Sequence, residues 1–173
     1  MKTNYIFLVL LLFFYALTAN AEDKLTDGEI AQILLTANSI DVGNGELAKD
    51  RATNADVKNF AQRMVNDHND NNKKIQELLK KINLDLEDNK ISQKLTADAG
   101  KALNDLKDLN KEDFDKRYIK AEIELHEQVI DLAESNLVPN VKNQELKSLL
   151  EKTHPILKSH LEHAKKVLES LNK

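Results

Sequence analysis

The sequence contains no cysteine and no tryptophan, only four glycines and two prolines, and aromatic residues make up 5% of it. Without cysteine there is no disulfide framework, no thiolate nucleophile or metal ligand, and no sulfur for lipid attachment. Scarce glycine and proline leave few turns, and after residue 21 the β-branched and aromatic runs that mark strands are missing. An excess of basic charge is missing too. Residues 1–21 hold one basic residue, Lys2, and no acid; without them 24 Lys and Arg stand against 29 Asp and Glu, a net charge of −5. Such a surface has no electrostatic reason to seek nucleic acid or anionic lipid.

What is present starts with an export signal. Lys2, an apolar run from Ile6 to Leu17 and then Ala19-Asn20-Ala21 read as a secretory signal peptide cleaved after Ala21. The run of about a dozen residues is short of the ~20 that a bilayer requires. Residues 22–173 are then expected to form one periplasmic domain with no integral membrane association and at most peripheral contact with the outer membrane. An envelope protein, a second copy of the chain or a metal ion remain as partners.

The mature chain reads as all-α. Thr26-Asp27-Gly28-Glu29 is a capping box for helix A, which runs to about Ala52. Asn54 caps helix B, which continues to about Ile82, and so short a connection makes A and B antiparallel neighbours. After the polar stretch NLDLEDNK, Ser92 begins a short helix to about Leu109. Asn110 caps helix C, to about Ser135; NLVPNVK with Pro139 breaks the chain, and Asn143 starts helix D, in which Pro155 predicts a kink. Residues 83–109 are too many for a hairpin turn and must carry the chain back along the bundle. Two hairpins joined by one long crossover make a ferritin-like four-helix bundle with a short extra helix in the B–C crossover.

The helix faces carry the functional signal. On helix B, Val57, Phe60, Ala61, Met64, Val65, Ile75, Leu78, Leu79 and Ile82 form an apolar arc about 140° wide, with His68 near its centre. Glu122 and His126 lie inside the apolar arc of helix C, His160 inside that of helix D, and Asp41 among Ile30, Ile33, Leu34, Ala37, Ile40 and Ala48 on helix A. Every long helix thus points a ligand-type side chain inward. Buried carboxylates need counter-charge, and no Lys or Arg lies on these arcs to supply it. One divalent cation would satisfy them together with the imidazoles. Three imidazoles with one or two carboxylates suit Zn²⁺, Cu²⁺ or Fe²⁺ better than Ca²⁺ or Mg²⁺. Asp41 and His68 lie about equally far from the A–B turn, so at ~1.5 Å per residue they share a depth; the depth of that pair relative to Glu122, His126 and His160 is left open by the sequence.

The segments NGELAKDRATNADVKNFAQRMVNDH, FDKRYIKAEIELH and LKSLLEKTHPILKSHLEHAKKV resemble a family of exported bacterial ferritin-like proteins, a domain of unknown function often labelled as outer membrane proteins. The resemblance spans residues 29–170. It implies the same fold and places family histidines at His68, His126 and His160 and a family proline at Pro155, but it implies no reaction. This chain departs from the pattern in helix A, where Asp41 and Gly43-Asn44-Gly45 replace glutamates and predict a looser helix, and at Leu125, where an Asp is usual, with Glu122 one turn earlier.

Ferritin-type di-iron chemistry needs inward Glu-x-x-His pairs, and Glu151-x-x-His154 lies at the border of its stripe, as does His163. No serine shares the inward arcs for a Ser/His/Asp arrangement. Two readings remain: a metal-binding envelope bundle linked to metal or stress response, and a structural or partner-binding bundle whose histidines hydrogen-bond across a wet core. Asn71 and Asn72, near the inward face of helix B, favour the second.

Overall fold

The computed structural model describes residues 24–173, so the expected signal peptide lies outside the described residues. Helix α1 spans Asp27–Arg51 and opens on the capping box: the Glu29 N–H donates to Thr26 Oγ1 at 3.1 Å and the Thr26 N–H to Glu29 Oε2 at 2.9 Å. Helix α2, Ala55–Ile82, starts under Asn54 and ends at Asn83 in the left-handed conformation, φ 51°. The tight α1–α2 turn is held by Asp115, which accepts from the Thr53 hydroxyl at 2.7 Å and the Asn54 N–H at 2.8 Å. Then come α3, Lys90–Asp108, and α4, Lys111–Leu132. A π-helical turn, Ala133–Leu137, leads into the short α5, Val138–Asn140, and α6, Gln144–Ser170, runs unbroken through Pro155.

Three details differ from the sequence reading. The crossover helix is 19 residues long and starts at Lys90, because Asn89 is its cap and Ser92 the reciprocal partner inside its first turn. Pro139 does not break the chain: the helical path continues beyond Ser135 to Asn140, with the proline directly after the π-helical turn that the Val138 N–H closes onto the Ala133 carbonyl. The break falls at Val141, and the Lys142 and Asn143 N–H groups donate to the Asp27 carboxylate at 2.8 and 2.9 Å. Third, Gly43-Asn44-Gly45 leaves α1 intact.

Gly45 is there for packing, since a Cβ would lie 2.8 Å from Val65 Cγ2 and 3.0 Å from the Ala61 carbonyl oxygen on α2, while one at Gly43 would meet nothing within 4 Å. Gly43→Ala should therefore stabilise by up to ~1 kcal/mol through helix propensity. Gly45→Ala should destabilise, because overpacking costs about 1–3 kcal/mol. Urea denaturation of both variants checks this; a Gly45→Ala midpoint at or above that of Gly43→Ala would sink the packing account.

Two apolar clusters define the bundle's ends. One joins Ala48 and Ala52 of α1, Val57 and Phe60 of α2, Leu106 of α3, Phe114 and Tyr118 of α4, and Ala164 and Val167 of α6. The other joins Ile30 and Ile33, Leu78, Leu95, Leu137, and Leu146 and Leu150. Helices α1, α3 and α6 therefore run one way and α2 and α4 the other, the ferritin-like arrangement of two hairpins and a crossover. Among the described residues no helix is long and apolar enough to cross a membrane. The layer midway between the two apolar ends is where the inward polar groups lie.

Candidate metal centre

Each of the four long helices delivers its polar group to this layer. Asp41 on α1, His68 on α2, Glu122 and His126 on α4, and His160 on α6 are 3%, 3%, 0%, 1% and 1% exposed, so none exchanges freely with bulk water. The three imidazoles form a triangle, with ring centroids 5.8 Å apart for His68 and His126, 5.2 Å for His68 and His160, and 5.5 Å for His126 and His160. One ligand nitrogen from each ring lies within 4.8 Å of the others. The depth relation left open by the sequence is thus resolved: the α1–α2 pair and the α4–α6 pair are level.

The hydrogen bonds around the triangle fix each ring's tautomer. Asn38 donates through Nδ2 to Asn72 Oδ1 at 3.0 Å, which turns its oxygen toward His68 Nδ1 at 2.8 Å. His68 therefore donates through Nδ1. His126 donates from Nδ1 to the Glu122 backbone carbonyl at 2.9 Å, and His160 from Nε2 to Asp67 Oδ2 at 2.8 Å. What remains on each ring is a lone pair, on His68 Nε2, His126 Nε2 and His160 Nδ1, and all three atoms are buried without a hydrogen-bond partner. A ring nitrogen fixed by a hydrogen bond on its far side is how proteins present histidine to metals.

Electrostatics favours the neutral, ligating form. Burial pushes His68 below its ordinary value, with Asp41 opposing and His126 reinforcing the shift. Burial likewise lowers His160 to about 4, against the pull of its hydrogen bond to Asp67. Burial alone would raise Asp67, but its bonds to His160 and Arg63 hold it below the ordinary carboxylate range. At neutral pH the pair is a neutral imidazole N–H donating to a carboxylate.

The carboxyl groups sit to one side of the triangle. Asp41 Oδ2 is 3.6 Å from His68 Nε2, and Asp41 Oδ1 and Glu122 Oε2 are each 3.9 Å from His126 Nδ1. Glu122 thus approaches the Nδ1 side of His126, whereas Asp41 reaches both His126 Nδ1 and His68 Nε2. Burial, then the nearby Asp41, raise Glu122 well above the ordinary carboxylate range, so the neutral acid is favoured.

His154 and His163 stay at the border, as their positions on the stripe suggest. His154 pairs with Glu134 at 3.0 Å, and His163 packs edge-on against Phe60. The sequence reading passed over Asn38, Asn44, Asp67 and Tyr118. Asn38 lies one turn before Asp41 on the same face, a spacing that could have revealed it; Asp67 reaches His160 from the flank of α2, and no periodicity points to it.

Space and access are both provided. A void of about 20 Å³ is lined by Asp41, His68 and His126 among others, room for one water-sized particle. A groove of about 600 Å³ between α2 and α6 is lined by Asp67, His68 and His160, with Lys74, Lys152 and Ile156 among its other walls, and leads from the surface to the triangle.

Fold and site together define a four-helix bundle with a polar, histidine-rich middle layer. Residues 15–167 match the family described as Domain of unknown function (DUF4142), and the chain belongs to that family. No curated protein matches the sequence. Among solved structures the chain is similar to "CopM in the Cu(II)-bound form", with a TM-score of 0.64 and 16% sequence identity over 85% of this chain and 98% of that one.

Proposed function

We propose that the protein is an exported cell-envelope bundle that binds one divalent transition metal through His68, His126 and His160, with Asp41 as the carboxylate partner, and serves in metal or stress handling rather than in turnover. The observation that carries this is the triangle of three buried imidazoles, each with one unpartnered ring nitrogen and the other held by an oxygen acceptor. A buried acceptor without a partner costs about 1–3 kcal/mol, so three together make a poor device for stability and a good one for a cation. Nitrogen-rich donors suit Cu²⁺, Zn²⁺ or Fe²⁺. The structural neighbour, CopM in the Cu(II)-bound form, puts Cu²⁺ first among these.

The test uses protein purified without a histidine tag. Elemental analysis after Cu²⁺ or Zn²⁺ loading should give one tightly held equivalent. At free metal near 1,000 Kd the linkage adds about 4 kcal/mol, which in a domain of this size raises Tm by roughly 8–16 °C, and EDTA should reverse the rise. Melting that responds to neither metal nor EDTA in samples of verified metal content would sink this reading. A structural bundle would be left, its Asn38 and Asn71 amides joined through water in the void beside His68 and His126, with Asn72 bonded directly to Asn38. The export part is read from the mature mass, expected to begin at Glu22 in the periplasmic fraction; retention of residues 1–21 would overturn it.

A further inference from the structure

Beside the imidazole triangle lies a second set of unsatisfied groups, and it is all oxygen. Glu122 is fully buried, and its carboxyl oxygens and Asp41 Oδ1 find no partner beyond one another and the neighbouring Asn44 side chain. Among the described residues the only ion-pair partners of Asp41 and Glu122 are histidines; no lysine or arginine reaches them. Independently of the two acids, the Tyr118 hydroxyl is also buried without a partner. Tyr118 precedes Glu122 by four residues, which puts both on one face of α4, and its ionisation is opposed first by burial and then by the charges of Glu122 and Asp41. The buried Asn44 side chain lies close enough to Glu122 to influence its proton. A ligand nitrogen of His126 lies within 4.8 Å of these carboxyls, but Nδ1, which is 3.9 Å from each of them, is engaged with a carbonyl, which leaves the oxygens as the free donors on this side.

We infer that Asp41, Glu122, Tyr118 and Asn44 form a second cation subsite for a hard divalent ion, adjoining the imidazole site and sharing Asp41 with it. Carboxylate and amide oxygens without nitrogen or sulfur are the donor set of Mn²⁺, Mg²⁺ and Ca²⁺, in contrast to the nitrogen-rich triangle, and the protonated Tyr118 hydroxyl is a supporting hydrogen-bond donor to such ligands. The two oxygens of Asp41 face the two donor sets separately: Oδ2 toward His68 and Oδ1 toward His126 Nδ1 and the Glu122 side. Asp41 is thereby the bridging carboxylate of a two-cation centre. The inference extends the imidazole reading but does not require it, because the oxygen set stands on its own unsatisfied atoms.

The experiment titrates MnCl₂ into untagged protein already loaded with one equivalent of Zn²⁺, and reads bound Mn²⁺ by loss of its free-ion electron paramagnetic resonance signal. Wild type should bind one Mn²⁺ and keep its Zn²⁺. Glu122→Gln, isosteric with the neutral acid, should keep Zn²⁺ and bind no Mn²⁺. Tyr118→Phe, which removes only the hydroxyl, should weaken Mn²⁺ roughly tenfold and leave Zn²⁺ unchanged. Wild type that binds no Mn²⁺, or Glu122→Gln that binds it as well as wild type, overturns the subsite. If Zn²⁺ fails to bind, the imidazole reading falls, and Mn²⁺ binding to the zinc-free protein, with its dependence on Glu122, still decides this one.

Discussion

His126→Leu should abolish the metal-dependent rise in melting temperature while leaving the metal-free protein as stable as wild type or slightly more so. The reason is what the ring does without a metal. Its Nδ1–H donates to the Glu122 carbonyl, the acceptor that the helical ladder of α4 already engages from the His126 N–H, so that side-chain bond is a second bond to one oxygen. Its Nε2 is a buried acceptor with no partner. Leucine of similar volume gives up roughly 0.5–1.5 kcal/mol of hydrogen bonding and removes an unsatisfied group that costs about 1–3 kcal/mol. The loaded protein loses one of three nitrogens, and affinity should fall by more than the 10–100-fold expected when only a supporting residue is lost. His163→Ala, at the border beside Phe60 and Arg63, should keep the full metal response. A core histidine retained for stability would behave in the opposite way: a leucine variant several kcal/mol less stable, with no metal response in either protein. Isothermal titration and thermal melts with and without chelator separate the two.

Much of this centre is legible in the sequence because helical periodicity alone decides which side chains point inward. Asp41, His68, Glu122, His126 and His160 stand out because each interrupts an apolar arc, and the capping residues Thr26, Asn54, Asn110 and Asn143 mark helix starts by a local rule. What periodicity does not carry is how helices from different hairpins align along the bundle. That alignment is set by the apolar packing at the two ends, where Leu95 and Leu106 of the crossover join opposite clusters. Tyr118 is hidden by its own chemistry: its ring packs against Phe60 and Phe114 and reads as core, while its hydroxyl is buried without a partner. Asp67 was hidden by position, since it lies one residue from His68, about 100° around the helix, and meets His160 only after α2 and α6 have packed.

The second large effect is on acid stability. In metal-free protein, His160→Gln should gain about 3 kcal/mol relative to wild type as pH falls from 7 to 4. Burial first, then the neighbouring His68, His126 and Arg63, depress His160 from 6.5 to about 4 despite its bond to Asp67. Between those values the unfolded chain binds a proton there that the folded chain does not, so the stability His160 contributes is present above pH 6.5 and lost as pH falls toward 4, at about 1.4 kcal/mol per pH unit. His68, also lowered by burial, acts in the same direction. Glu122, raised well above its ordinary value, acts in the other: its contribution is fully present below pH 4.5 and is lost as pH rises, which masks part of the acid slope in wild type. Glutamine keeps an N–H for Asp67 and does not titrate, so the difference between variant and wild type removes what the two proteins share and reads His160 together with its coupling to His68 and Asp67. Urea denaturation at pH 7, 5.5 and 4 with chelator present measures it. A difference that does not change with pH would mean that His160 holds its proton equally in the folded and unfolded chains, and the neutral imidazole facing the other two rings would have to be abandoned.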